Sequence, residues 1–154
     1  MNYLYCGLIH AAIPNSRMIV LRRHPMASCY AMFKMNFEGA YPFSYDLEDL
    51  GRYYVAFHQL IEHWKKVLGD EIYEIHYEDL IADQERQTRR LIDFCGLDWE
   101  DACLDFHKNS AASSTASALQ VRQPIYSSSV DLWRNFEDQL QPLADILRQG
   151  GIEF

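Results

Sequence analysis

Met-Ile-Val-Leu-Arg-Arg-His-Pro, at residues 18–25, is the stretch of sequence that decides the fold. Its first four residues form a continuous apolar run, which is typical of a strand buried in a parallel sheet. The run breaks into a polar turn, and Pro25 suits the first position of a helix because an N–H there has no helical partner to lose. The stretch therefore predicts a strand, a turn and a helix in close succession.

A long amphipathic helix is predicted downstream, from Asp46 to Gly69. Asp46 can cap its first turn, Glu48 and Arg52 can pair four residues apart, and Gly69 can end it. Apolar residues recur at steps of three and four, which is the pattern of a helix with one buried face. These residues are Leu47, Leu50, Tyr54, Phe57, Leu60, Ile61, Trp64 and Leu68.

Further elements alternate along the rest of the chain. Residues 26–37 are apolar on more than one side and predict a buried helix. Residues 72–75 predict a second strand, and residues 84–95 predict another helix. Residues 110–129 contain seven serines and few large apolar groups, so they predict a long loop. A last amphipathic helix is predicted over residues 130–149.

Strands separated by helices indicate a helix-rich α/β fold with parallel strands, in one domain that spans residues 1–154. Two or three strands are few for a complete sheet of this kind, so we expect only part of one. A parallel strand such as residues 18–21 normally has a neighbour on both sides, and an unpaired edge invites pairing. We therefore expect a homodimer or a partner chain to cover the exposed strand edge.

Composition argues against several classes of function. The 14 basic and 22 acidic residues give a net charge of -8, so no general basic field attracts nucleic acid. No stretch approaches the roughly 18 to 20 apolar residues of a membrane span, and residues 1–13 lack the basic flank of a secretory signal. The four cysteines suggest neither a zinc site nor a disulfide framework. We expect a cytoplasmic protein that binds neither nucleic acid nor a membrane.

The turn after the first strand is the candidate phosphate site. Arg22 and Arg23 supply guanidinium groups, the start of the helix supplies N–H groups, and Ser28 supplies a hydroxyl. The alternative is that the two arginines only solvate the end of a strand. A metal site on the long helix is not favoured, because His58 and His63 are five residues apart and do not share a face as a four-residue pair does.

The segment at residues 19–26, Ile-Val-Leu-Arg-Arg-His-Pro-Met, resembles the motif by which sulfotransferases hold the 3'-phosphate of their nucleotide. Four more segments resemble features of bacterial and tyrosylprotein-type sulfotransferases, in the same order. They are Tyr-Pro-Phe-Ser-Tyr-Asp-Leu at 41–47, Gly-Arg-Tyr-Tyr at 51–54, His-Tyr-Glu-Asp-Leu at 76–80, and Thr-Ala-Ser-Ala-Leu-Gln-Val-Arg-Gln-Pro at 115–124.

This resemblance implies a pocket for the donor 3'-phosphoadenosine-5'-phosphosulfate or its product 3'-phosphoadenosine-5'-phosphate. The family's phosphate-binding arginine falls on Arg23, whose guanidinium would fork onto the 3'-phosphate. The serine that the family usually has eight residues later is Ala31 here, and Ser28 is the candidate replacement. The other residues that match nucleotide contacts of the family are Tyr77, Thr115, Ser117 and Arg122.

The resemblance also implies a partial P-loop-type parallel sheet flanked by helices. The family's phosphosulfate loop, a Gly-x-Pro-Arg-Ser-Gly-Thr-like sequence, does not occur in this chain, and in the family the general base lies in the same upstream segment. We therefore expect a carboxyl-terminal sulfotransferase portion that keeps the 3'-phosphate subsite, has no assignable catalytic residue and is inactive alone. The complete family transfers a sulfuryl group to a hydroxyl or an amine, and the acceptor here is open.

Two other functions are alternatives to this one. A non-catalytic, α-rich interaction module derived from a sulfotransferase would dock to a partner chain and would not bind nucleotide. A nucleoside-phosphate kinase relative would need a P-loop lysine and a magnesium ligand, and the sequence offers neither in a recognisable pattern.

Overall fold

The sheet is a parallel pair of strands, β1 (Met18–Arg22) and β2 (Ile72–His76). The computed structural model describes residues 2–108, 125 and 127–154. Met18 lies opposite Ile72, and the pairing continues in step, so the carboxyl ends of both strands meet at one edge. Both predicted strands are confirmed, and the described part of the chain is a helix-rich α/β fold.

Six α-helices surround this pair in the described part of the chain. They are α1 (Cys6–Ala12), α2 (Pro25–Phe33), α3 (Leu47–Leu68), α4 (Tyr77–Ala82), α5 (Gln84–Phe94) and α6 (Gln141–Gln149). Short 3-10 turns occupy Asn2–Tyr5, Pro42–Tyr45, Gly69–Glu71, Asp101–Cys103, Phe106–Lys108 and Leu132–Phe136. None of the helices in these described ranges is long and apolar enough to cross a membrane.

The long helix α3 forms as the sequence predicts. The Asp46 carboxylate accepts the backbone N–H groups of Glu48 and Asp49, at 2.8 and 2.9 Å, and so satisfies two donors of the first turn. Arg52 pairs with Glu48 at 2.8 Å. Gly69 ends the helix with a φ of 52°, a conformation that glycine adopts without the steric cost of a side chain.

The main core lies between α2, α3 and α6 and the 3-10 turn before α6. Its fully buried members include Met26 and Cys29 from α2, Leu50 from α3, and Leu143 and Leu147 from α6. A smaller cluster of Cys6, Met18 and Leu68 joins α1 to β1 and to the end of α3. The helix α3 therefore contacts both cores and fixes the position of β1 relative to α6.

One face of β1 is uncovered in the described structure. Ile19 is 48% exposed and Leu21 is 58% exposed, although their neighbours Met18 and Arg22 on the opposite face are buried. Large apolar side chains at this level of exposure on a strand are typical of a surface that contacts another element or chain.

Three helix predictions need correction. The predicted helix over 26–37 ends at Phe33, where the Met35 N–H bonds to the Met32 carbonyl three residues earlier, at 3.1 Å, and so closes a turn in place of a further α-helical bond. The predicted last helix over 130–149 is interrupted, and its regular part begins at Gln141. Pro142 has no N–H, so it suits the first turn of a helix and not its interior.

The third correction is that residues 77–82 form the helix α4, although the sequence pattern there predicts no helix. Acidic residues in its first turn, Glu78 and Asp79, favour a helix start. Most of the predicted serine-rich loop at 110–129 lies outside the described residues.

Candidate functional site

A cleft of about 500 Å³ opens at the edge where the carboxyl ends of β1 and β2 meet. In open parallel sheets this edge is where ligands usually bind, because the loops that follow the strands converge there. The cleft is lined by the turn after β1, one side of α3, the start of α4 and the segment after α6. The lining residues are Arg22, Arg23, His24, Pro25, Tyr54, His58, His76, Glu78, Gly151, Ile152, Glu153 and Phe154.

Arg23 is a cation of the cleft with unused hydrogen-bonding capacity. Its guanidinium donates to the backbone carbonyl of Ser129 and lies over the ring of Tyr77, 5.6 Å from the ring centre. Its Nε is buried and has no hydrogen-bond partner in the described structure. A buried N–H without a partner carries a free-energy cost, which an anionic ligand oxygen would remove.

Arg22 is held within the protein. It lies on the opposite face of β1 and is 9% exposed. Its guanidinium approaches His58 Nδ1 at 2.6 Å, Glu74 at 3.6 Å and Glu62 at 3.9 Å. Because successive strand residues point to opposite faces, two adjacent arginines have different roles. Arg22 lies close to two carboxylates, although its Nη1 is buried without a hydrogen-bond partner, whereas Arg23 forms no ion pair in the described structure.

The turn between β1 and α2 is fixed by α4. The His24 N–H donates to the Glu78 carboxylate at 2.9 Å, Pro25 has no N–H, and the Ser28 N–H bonds to the His24 carbonyl at 2.9 Å. His24, Pro25 and Ser28 therefore offer no free N–H to a ligand. The N–H groups of Met26 and Ala27, also in the first turn of α2, form no backbone hydrogen bond in the described structure.

The His24 ring packs among aromatic groups. It stacks on Trp133, with ring centres 5.0 Å apart, and meets Phe154 edge-on at 5.7 Å. Burial lowers the pKa of His24 below its ordinary value, and the nearby Glu78 carboxylate only partly opposes this effect. His24 is therefore mainly neutral at pH 7 and adds no full positive charge to the cleft.

The segment after α6 forms the wall of the cleft opposite the strands. The Ile152 side chain is buried in the main core, and its N–H bonds to the Leu147 carbonyl at 3.0 Å. Gly150 approaches α3 so closely that a Cβ added there would lie 2.7 Å from Val55 Cγ1. These contacts place Glu153 and Phe154 beside the cleft.

The structure brings together some of the predicted site residues. Arg23 lines the cleft, and the ring of Tyr77 lies against the Arg23 guanidinium. Ser28 is half-buried on α2 and is not among the residues that line the cleft, so the structure gives no support for its assignment as the replacement hydroxyl. Thr115, Ser117 and Arg122 lie outside the described residues.

Sequence reasoning missed several polar residues of the cleft, among them His58 and Glu78. His58 follows Tyr54 by one helical turn, so the period of α3 places both on one side, but nothing local shows that this side meets Arg22. Glu78 lies in the His-Tyr-Glu-Asp-Leu segment, where the family resemblance implies a role only for the tyrosine. Within the described ranges, no group of His, Cys, Asp and Glu side chains could hold a metal ion.

The arrangement can bind a phosphate ester and gives no indication of a nucleophile. Two arginines and two carboxylates, Glu78 and Glu153, border the cleft, and Arg22 lies close to two further carboxylates behind it, Glu74 and Glu62. Cys29, the thiol nearest in sequence, is fully buried in the core, and burial raises its pKa to about 12, which excludes a reactive thiolate there.

Comparison with known proteins identifies relatives of the chain. The profile of a family described as "Sulfotransferase family" matches residues 1–101. An uncharacterized protein of Aquifex aeolicus (strain VF5) is 37% identical over 152 residues, which covers 97% of this chain and 20% of that relative. The chain thus spans about a fifth of the length of the curated relative it matches.

Proposed function

Since the chain belongs to the sulfotransferase family, we propose that its cleft binds the 3'-phosphate end of 3'-phosphoadenosine-5'-phosphosulfate or of the product 3'-phosphoadenosine-5'-phosphate. Arg23 is the residue that holds this phosphate. The observation that carries the proposal is the position of Arg23 at the carboxyl end of β1, with its Nε buried and unpaired.

The described residues fit such a group. A guanidinium can form two parallel, charge-assisted hydrogen bonds to a phosphate, which makes arginine well suited to this role. The Tyr77 ring supports one face of the Arg23 guanidinium at 5.6 Å, which limits the freedom of the side chain before the ligand arrives. Thr115, Ser117 and Arg122 are proposed to close over the nucleotide, and Ser28 is retained only as a secondary candidate.

In a complete enzyme of this family, the donor supplies the sulfuryl group, and an acceptor oxygen or nitrogen attacks sulfur in line with the departing phosphate. In this proposal, the residues of the cleft orient the nucleotide. By holding the distant 3'-phosphate, Arg23 fixes the nucleotide so that its reactive end is presented to groups outside this chain. The transfer reaction, its acceptor and a cytoplasmic location are proposals for the whole protein.

Calorimetric titration with 3'-phosphoadenosine-5'-phosphate tests the proposal. We expect Arg23→Ala to lose about 1.5 to 3 kcal/mol of binding free energy, the range for a hydrogen bond to a charged group, which is roughly 10- to 150-fold in affinity. Arg23→Lys should recover only part of the lost affinity, because an ammonium group cannot form two parallel hydrogen bonds to one phosphate. The matched control is Arg86→Ala, which removes an exposed arginine that pairs with Asp83 on α5.

Adenosine 5'-phosphate provides the second arm, because it lacks the 3'-phosphate. It should bind weakly, and its affinity should be insensitive to Arg23→Ala. Equal binding of the bisphosphate to the parent chain and to Arg23→Ala would show that the assignment of Arg23 is wrong.

The second candidate function is a non-catalytic partner subunit, and the exposed apolar face formed by Ile19 and Leu21 favours it. A homodimer or another chain would cover that face. The same titration separates the two functions, because a pure interaction module gives no heat with the nucleotide.

A further inference from the structure

His58 borders the cleft beside the two arginines. It lies on α3 one turn after Tyr54, and both side chains line the cleft. Arg22 Nη2 is 2.6 Å from His58 Nδ1, which is a close hydrogen bond between residues 36 apart in sequence. The other ring nitrogen, Nε2, forms no hydrogen bond within the described structure and is not a buried unpaired atom.

The chemistry of the pair decides where the proton of His58 lies. A guanidinium has five N–H donors and no acceptor, so the hydrogen bond requires a lone pair on His58 Nδ1. In a neutral imidazole one nitrogen accepts and the other carries the hydrogen. The ring of His58 is therefore neutral with its hydrogen on Nε2. Burial, and after it the charge of Arg22, lowers the pKa of His58, in agreement with a neutral ring.

Arg22 is not free to turn away and release this arrangement. The Arg22 side chain is buried in β1, and it also approaches Glu74 and Glu62, at 3.6 and 3.9 Å. Turning away would leave a buried guanidinium without these partners, which is strongly unfavourable. The tautomer of His58 is thus fixed by the interior of the protein before any ligand binds.

We propose that His58 is a further ligand-binding residue of the cleft, which donates its Nε2–H to an oxygen of the nucleotide that Arg23 does not hold. This inference rests on the proposed function and assigns a second, uncharged donor to the same site. A neutral donor orients the ligand oxygen without adding charge to the cleft.

Asparagine and glutamine variants separate the two nitrogens. In His58→Asn the amide stands near the position of Nδ1 and can still accept from Arg22, but nothing reaches the position of Nε2. In His58→Gln the amide N–H₂ reaches the position of Nε2 and can donate to the ligand. We expect His58→Asn and His58→Ala to weaken binding of 3'-phosphoadenosine-5'-phosphate about tenfold, and His58→Gln to stay within about threefold of the parent.

Nucleotides that lack one group identify the oxygen that His58 contacts. Adenosine 5'-phosphate and adenosine 3'-phosphate are titrated into the parent and into His58→Asn. The nucleotide whose affinity no longer depends on His58 is the one that lacks the contacted phosphate, and dependence with both points to a ribose oxygen. Thermal unfolding of each variant checks that the protein is folded.

A separate measurement tests the proton position without any ligand. Nitrogen-15 NMR of the His58 ring should show a protonated Nε2 and a bare Nδ1 at pH 7.5. A hydrogen on Nδ1 would overturn the inference, and so would equal nucleotide binding by the parent and His58→Asn. If the parent itself does not bind the nucleotide, the proposed function fails first and the ligand role of His58 fails with it, even if the NMR result is as expected.

Discussion

Gly150 offers a prediction in which a single methyl group should destabilise the protein. It follows α6 with φ −76° and ψ 3°, a conformation that alanine adopts without strain. A Cβ added there would lie 2.7 Å from Val55 Cγ1 and closer still to Cγ2, whereas carbon atoms pack comfortably at roughly 3.5 to 4.0 Å. The cost of Gly150→Ala should therefore come from the contact with Val55 and not from the backbone.

The size of the effect follows from two opposing contributions. Forcing an extra methyl into a packed contact costs about 1 to 3 kcal/mol, and valine cannot turn aside easily because its χ1 angle is stiff. Replacing glycine by alanine also restricts the unfolded chain, which returns about 0.4 to 1 kcal/mol. We expect a net loss of about 1 to 2 kcal/mol in the free energy of unfolding, which lowers Tm by roughly 2 to 8 °C for a chain of this size.

Urea unfolding followed by circular dichroism measures the loss, and Val55→Ala supplies the matched second-site variant. With Val55 shortened, the same Gly150→Ala change should become neutral or stabilising, so the double mutant should show a coupling of about 1 kcal/mol or more. Additive effects of the two substitutions, or a Gly150→Ala variant as stable as the parent, would refute the reasoning.

Three further predictions concern activity, association and pH. The isolated chain should stay at background in a radiolabelled-sulfate assay over phenols, sugars and amines, because it lacks a phosphosulfate loop; turnover by the pure chain would contradict this. The chain should self-associate at micromolar concentration through the uncovered face of β1. In sedimentation, the double variant Ile19→Lys, Leu21→Lys should have the mass of a monomer and the parent a larger mass; a monomeric parent would contradict the prediction. Folding lowers the pKa of His24 and His58 below the ordinary value of 6.5. As the pH drops, the unfolded chain therefore takes up protons before the folded protein does. The free energy of unfolding should fall as the pH drops below about 6.5 and should be constant just above it. Urea unfolding should show a weaker pH dependence for His58→Gln and an unchanged one for the exposed control His63→Gln.

The elements that the sequence predicted well are those with local signals. The stripe of α3 lies within 22 residues, and its start at Asp46 and end at Gly69 each depend on a few neighbouring atoms. The strand β1 was likewise readable from a short apolar run. Such signals do not need knowledge of distant parts of the chain, which is why these boundaries agree with the structure.

The helix predictions that failed were based on the period of apolar residues alone. The helical period of apolar residues continues through residues 130–149, but the regular helix begins only at Gln141. Pro142 has no N–H and therefore fits the first turn of a helix, which the apolar period does not show. The short helix α4 follows β2 without a loop, so its first residues looked like the end of a strand.

Site residues that belong to a sequence motif could be predicted. Contacts between segments that are far apart in the sequence could not. Arg23 and Tyr77 came from separate motifs and lie against each other in the structure. The different roles of Arg22 and Arg23 depend on which face of β1 meets α3. The hydrogen bond from Arg22 to His58 crosses 36 residues, and only the tertiary structure reveals it.

The segment after α6 has a consequence for synthesis of the protein on the ribosome. Arg23 leaves the ribosome early, but the wall that faces it includes Glu153 and Phe154. At translation speeds of 5 to 20 residues per second, roughly 6 to 26 s separate the two events. During that interval a nascent chain can pair β1 with β2 and assemble α3, yet it has no complete cleft. A nucleotide bound as proposed should therefore stabilise the folded protein most after residues 153 and 154 have been synthesised.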